Sequence, residues 1–154
     1  MKTNCFYCMI LLGLIFLSGC ESSNSNDDCT PQALPVKSLE TEYGCVNTKN
    51  QLYNIVDANN FIIIRNQSDF DSKTDDINCR PQIDFDTYDL ILGKKQLTSG
   101  NQSIQYQYMD NCTEKKLTVT FIQDATMVAP TIIYHALIPK LAANEQVVVE
   151  TIVQ

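Results

Sequence analysis

The sequence predicts a mainly β fold, an antiparallel β-sandwich or partly open barrel with one short helix. Three observations carry that expectation. Apolar residues recur with period two, most cleanly over 103–109, where Ile104, Tyr106 and Tyr108 alternate with Gln105 and Gln107. Short β-branched runs follow one another at close spacing, broken by clusters of Asp, Asn, Gly and Pro. Between them lies no long helix-periodic segment of the kind that carries a parallel crossover, so the strands are expected to return by turns. At 154 residues and 44% hydrophobic content, one packed domain is the expected size.

Taken in order, residues 52–56 and 61–65 read as two strands joined by the turn Asp57-Ala58-Asn59-Asn60, the second strand buried on both faces. Asn66 followed by Asp69 and Asp71 has the form of a helix start. It offers a side-chain oxygen to the free N–H groups and acids to the positive end of the helix dipole, which places the short helix over 66–73. Past Cys79-Arg80-Pro81, Ile83 and Phe85 alternate with Asp84 and Asp86, and residues 88–92 form a further strand. Gly93 and Gly100 punctuate the chain. Asp110-Asn111 marks a hairpin turn after the 103–109 strand, and Leu117, Val119 and Phe121, alternating with Thr118 and Thr120, form its partner. Residues 131–138 and 146–153 complete the set, separated by Pro139 and the segment 142–144.

The N-terminus carries the clearest signal of location. Lys2 precedes nine apolar residues, 9–17, which is the layout of a secretory signal and is too short for a membrane span of about 20 residues. Leu17-Ser18-Gly19-Cys20 resembles the lipobox of bacterial lipoproteins, whose cysteine is diacylated, released by signal cleavage and then N-acylated. The resemblance implies a signal peptide at 1–19, a lipidated Cys20 leading a tether at 20–28, and a single β-rich domain at 29–154. Two or more acyl chains anchor stably where one is marginal, because each buried CH₂ contributes about 0.8 kcal/mol. Glu21 stands where the Asp of enterobacterial lipoproteins causes inner-membrane retention, so outer-membrane delivery is implied, with the domain periplasmic or surface-exposed. Residues 21–28 are polar and acidic, the composition of a disordered tether, and the nine residues from Cys20 to Cys29 reach at most about 30 Å.

Composition excludes several classes. The net charge is −7, and cleavage would remove Lys2 with no acid, so the mature chain is repelled by phosphate backbones and nucleic-acid binding is not expected. One histidine, no tryptophan and five glycines leave little for a His-rich metal site or a glycine-rich phosphate loop, and no cofactor is expected. Cys29, Cys45, Cys79 and Cys112 are an even set in a compartment that permits disulfides. Their spacings of 16, 34 and 33 residues lack zinc knuckles, so two bridges are expected. Of the three connectivities, loop closure favours Cys29 with Cys45 and Cys79 with Cys112, although the penalty for longer loops grows slowly.

The order Ile62-Ile63-Ile64-Arg65-Asn66-Gln67-Ser68-Asp69-Phe70, Pro81-Gln82-Ile83-Asp84-Phe85, Leu90-Ile91-Leu92-Gly93 and Thr98-Ser99-Gly100 resembles a domain of small Bacteroidetes lipoproteins of unknown function. It distantly resembles the C-terminal domain of a protease-complex subunit family, from which it departs at Asn101, where that domain often has a second glycine. The resemblance spans roughly residues 45–154 and implies a β-rich extracytoplasmic module, with an envelope protein or protease as partner and no catalytic residues to carry over. It also implies Cys45 with Cys79 and Cys29 with Cys112.

Few residues suggest chemistry. Asp84 and Asp86, two apart on a strand, would share a face as paired carboxylates do, and His135 sits in an apolar strand; either would serve an envelope hydrolase. The blander readings are solvent-facing acids and a packed, hydrogen-bonded imidazole. Asp69, Asp71, Asp75 and Asp76 suggest calcium, but Lys73 and Thr74 stand where an EF-hand-like loop needs an oxygen ligand and glycine, so no metal is expected. Tyr106 and Tyr108 share a face with Ile104 and belong to the core, which moves a binding site to the loops around 93–101 and to Thr98, Ser99, Gly100 and Asn101. The expected function is therefore a non-enzymatic, lipid-anchored envelope module that binds a protein or ligand.

Overall fold

The computed structural model describes residues 29–51, 61–74 and 79–154; the signal, Cys20, the tether, the strand expected at 52–56 with its turn, and Asp75 and Asp76 lie outside the described residues. Two sheets face each other in a mainly β sandwich. One orders β1 (Gln32–Leu34), β4 (Asn101–Asp110), β5 (Lys115–Gln123) and β7 (Val147–Val153); the other orders β2 (Phe61–Ile64), β3 (Tyr88–Gln96) and β6 (Thr131–Pro139). Every pairing is antiparallel except that of β5 with β7. After β5 the chain crosses to the second sheet, runs back as β6, and returns to lie beside β5 in β5's own direction. The β4–β5 hairpin turns where Asp110-Asn111 predicted, with the Asn111 N–H donating to the Glu114 carbonyl at 2.9 Å.

Alternation decides which side chains fill the space between the sheets. Tyr108, Leu117, Val119 and Phe121 from the first sheet meet Ile91, Ile132, Tyr134, Ala136 and Ile138 from the second. The Phe121 and Tyr134 rings meet edge to face at 5.9 Å and 74°. The second sheet is covered on its outer face as well: Leu90, Leu92, Ile133 and Leu137 pack with Leu39, Phe70 and Ile83 in a second core. Two short helices supply that cover, α1 (Leu39–Tyr43) and α2 (Gln67–Lys73), followed in the first case by a 3₁₀ turn at Thr48–Asn50. The helix expected over 66–73 is α2; its N-cap is Asn66, whose Oδ1 accepts from the Asp69 N–H at 2.9 Å. Sequence reading did not foresee α1, which begins at Ser38 with a reciprocal capping box to Thr41 and stops at Gly44 in the left-handed region, φ 68°.

Two local expectations are corrected. Residues 83–86 do not form a strand: the Asp84 carbonyl accepts from Thr87 and Tyr88 N–H groups at 3.2 and 2.9 Å, and the Asp84 carboxylate accepts from the Asp86 N–H at 3.2 Å. The segment is a turn, and Pro81 lacks the N–H that a strand entering there would use. Ile83 and Phe85 pack from this turn into the outer core, which accounts for their apolar pattern. Gly93 does not punctuate the chain either, because it lies inside β3 beneath the ring of its cross-strand partner Tyr134; a Cβ there would stand 2.1 Å from the Tyr134 Cζ.

The bridges join Cys29 to Cys112 and Cys45 to Cys79, against the short-loop expectation and as the resemblance implied. The reason is strand pairing. Gln32 lies opposite Asp110, which carries Cys29 to the β4–β5 turn, while Gly44 ends α1 and delivers Cys45 to the outer core beside Cys79. The chain between β1 and α1 then crosses the side of the sandwich, exchanging both backbone hydrogen bonds between Lys37 and Leu137 and covering the edge of β6.

Candidate functional site

At the end of the sandwich remote from the Cys29–Cys112 bridge, two loops are built against each other: 97–100 between β3 and β4, and 124–130 between β5 and β6. The Gly100 N–H donates to the Thr126 carbonyl at 3.2 Å, and the Asp124 N–H donates to the Gly100 carbonyl at 3.0 Å. Approach is so close that a Cβ on Gly100 would lie 1.9 Å from Thr126 Oγ1 and 2.2 Å from Asp124 Oδ1. Asp124 folds its own loop, accepting from the Thr126 N–H at 2.9 Å and from the Thr126 hydroxyl; that hydroxyl bond first, and the backbone bond next, hold its carboxyl below the usual range. On the β3 side the Gln96 amide donates to the Ala129 carbonyl at 2.6 Å and the Leu97 N–H to the Pro130 carbonyl at 3.0 Å. A loop held at both ends in this way presents Met127 fully exposed and Val128 57% exposed.

The four residues expected to bind divide between surface and framework. Thr98 is exposed and Ser99 half-buried, while Gly100 is packed as described and Asn101 is buried, its amide donating to the Ser103 and Ile122 carbonyls at 3.0 and 3.2 Å. Asn101 therefore shapes the bulge at the start of β4 rather than meeting solvent. Sequence reading missed Met127 and Val128. Their signal was an apolar run, Met127-Val128-Ala129, ending at Pro130 and belonging to neither period. Beside this tip lies a recess of about 380 Å³ lined by Lys94, Lys95, Gln96 and Thr131.

His135 is the centre of a second cluster, on the outer face of β6. Its Nδ1 accepts from the Leu39 N–H at 3.2 Å, so the proton of the neutral ring sits on Nε2. Nε2 contacts the Thr48 hydroxyl and lies 3.4 Å from Glu40 Oε1, and the Thr48 hydroxyl donates to the same carboxylate. The chain of donation runs from imidazole to hydroxyl to carboxylate. A ring arranged so has no lone pair with which to take a proton from Thr48, and Thr48 itself is fully buried. Burial alone would raise Glu40; the hydrogen bonds that reach it from the His135 ring and the Thr48 hydroxyl outweigh burial and hold the carboxyl at about 2. From the opposite sheet the Tyr106 hydroxyl accepts the His135 N–H at 3.2 Å, and burial raises that phenol well above its ordinary value. A small cleft of about 170 Å³ opens over this cluster.

Asp84 and Asp86 are exposed in the 81–87 turn and do not act as a strand pair. The Thr87 hydroxyl, foremost, keeps Asp84 ionised, and Asp84's partners, Thr87, Asp86 and Tyr88 with Tyr43 on its amide, are not those of His135. Asp89 is the buried acid that sequence reading passed over: fully enclosed on β3, it accepts from the Leu141 N–H at 3.1 Å and faces Arg65 at 3.7 Å and Lys140 at 3.4 Å. It ties the ends of β2, β3 and β6 together. Among the described residues no group of three or more His, Cys, Asp or Glu side chains is placed to hold a metal ion. No family model, curated protein or solved structure matches the chain.

Proposed function

We propose that the chain is a lipid-anchored module of the cell envelope that binds another protein or a ligand through its loop end, without catalysing a reaction. The observation that carries this reading is the contrast between its two candidate sites. The His135 cluster consumes its own donors and acceptors, whereas the 124–130 loop is fixed by backbone bonds and offers exposed apolar side chains. Binding residues are disproportionately carried on loops that a rigid scaffold positions, as this loop is. Anchoring rests on Leu17-Ser18-Gly19-Cys20, and envelope residence is supported by the two disulfides. The competing reading, a hydrolase using Asp84 or His135, draws no support from their separate settings.

The anchor is tested by metabolic labelling with a palmitate analogue, followed by fractionation. Wild-type chain is expected to carry label and to sediment with envelope, and Cys20→Ala to lose both. Labelling of Cys20→Ala equal to wild type would overturn the assignment.

A further inference from the structure

We infer that the Cys29–Cys112 bridge is a thiol-exchange site, opened by a dithiol protein that attacks Cys112 Sγ through the recess beside the β4–β5 turn, and that its opening lengthens the tether. The two bridges sit in opposite settings. Cys45 is 4% exposed and Cys79 half-buried, both in the outer core, so an attacking thiolate cannot reach that bond while the core is packed. Cys29 and Cys112 are both exposed. Among the described residues Cys112, and not Cys29, lines a recess of about 520 Å³, together with Asp110, Glu114, Lys115 and Glu145. Lys115 is taken up by Glu145 at 2.6 Å, which leaves the recess net acidic. An anionic thiol is repelled there, and the thiol pair that suits the recess is carried on a neutral or basic surface.

The incoming thiolate forms a bond to Cys112 Sγ as the bond to Cys29 breaks, and Cys29 leaves as a thiolate that takes a proton from water. The partner's second thiolate then attacks the partner's own sulfur in the mixed disulfide and releases Cys112, so the cysteine pair gains two electrons and two protons and the partner, having lost them, ends as a disulfide. Cys112 keeps its place on release. Its φ of 72° is held by its N–H donating to the Asp110 carboxylate at 2.9 Å, and the turn by the Asn111 N–H donating to the Glu114 carbonyl, neither of which passes through Cys29. The Cys29 side has no such hold, since β1 meets β4 over three residue pairs and grips the core first at Leu34. Freed as far as Leu34, the chain from Cys20 counts 14 residues in place of nine, and its greatest reach rises from about 30 Å to about 50 Å. That change of standoff rests on the anchoring proposed above; the exchange site does not.

The test uses the full-length chain as its host processes it, solubilised in detergent, with dithiothreitol as the dithiol and differential alkylation read by peptide mass spectrometry. Cys29 and Cys112 are expected to open at least tenfold faster than Cys45 and Cys79. Equal rates, or the Cys45–Cys79 bridge opening first, would overturn the site. Two small monothiols of opposite charge, cysteamine and 2-mercaptoethanesulfonate, read the recess, each normalised to its own rate with an uncharged model disulfide. The cation is expected to react at least threefold faster at low salt, with the difference lost at about 1 M salt, and its mixed disulfide, trapped early in acid, to sit on Cys112. No charge preference, or an adduct mainly on Cys29, would overturn the recess as the way in. After selective opening, amide exchange over Gln32–Leu34 is expected to rise at least tenfold while β4 and β5 stay protected; unchanged exchange would overturn the lengthening. None of these readings requires an acylated Cys20, so failure of the anchor, seen in the palmitate labelling, is distinct from failure of the bridge.

Discussion

His135 illustrates how one backbone hydrogen bond fixes the chemistry of a side chain. With Nδ1 accepting from Leu39, the imidazole acts as a strut between β6, α1 and the 3₁₀ turn, and Glu40 is the acid at the end of that strut. The carboxyl lies lower in the folded chain, at about 2, than its ordinary value. It therefore stabilises the fold fully above the ordinary carboxylate range, and that contribution is lost as pH falls towards 2. Glu40→Gln is expected to cost about 1–2 kcal/mol at pH 7, at the low end for bonds to a charged acceptor because part of the side chain meets solvent. Denaturant midpoints measured from pH 7 to pH 2 should fall more steeply in wild type than in Glu40→Gln; parallel curves would show that the acid is not held low. The sequence showed His135 as a packed, hydrogen-bonded imidazole but could not show its partners, because Leu39 and Thr48 are 96 and 87 residues away.

Among the elements, β5 offers the sharpest test of register. Leu117, Val119 and Phe121 are fully buried, while Thr118 and Thr120 lie on the outer face opposite Gln107 and Gln105 of β4. Phe121→Ala is expected to cost about 3–5 kcal/mol and Thr120→Ala under about 1 kcal/mol, read from urea unfolding. A Phe121→Ala cost below 1 kcal/mol would mean that the inward and outward faces are exchanged. β4 and β5 were legible in advance because one face is buried and the other wet, which writes the period-two pattern into the chain. β6 and β3 were legible as apolar runs, their outer faces being covered by α1 and α2. β1 was not, since three residues cannot show a period, and neither was α1, whose five residues are held by a capping box and one buried leucine. The 83–86 segment misled for the converse reason: two apolar side chains reached the core from a turn.

At the scale of the whole molecule the chain is polarised, with the Cys29–Cys112 bridge at one end and the Met127 loop at the other. The placement of these ends was beyond the sequence, because it depends on β1 pairing with β4 across a separation of about 75 residues. Removing the bridge with Cys29→Ser/Cys112→Ser is expected to lower stability by about 2–4 kcal/mol, measured by calorimetry on the purified domain. A change under about 0.5 kcal/mol would mean that the 83-residue loop is already closed in the unfolded chain. The bridge also decides how the molecule would bear load. Tension between an anchor at the N-terminus and a partner gripping the far loops enters covalently at the hairpin turn and runs along the axes of β4 and β5. The turn joins both strands, so they bear that pull side by side through their backbones, and their cross-strand hydrogen bonds, perpendicular to it, hold them together. Without the bridge the same tension would fall on the three residue pairs that join β1 to β4, so the disulfide turns the three-residue strand from the weakest seam into a bystander.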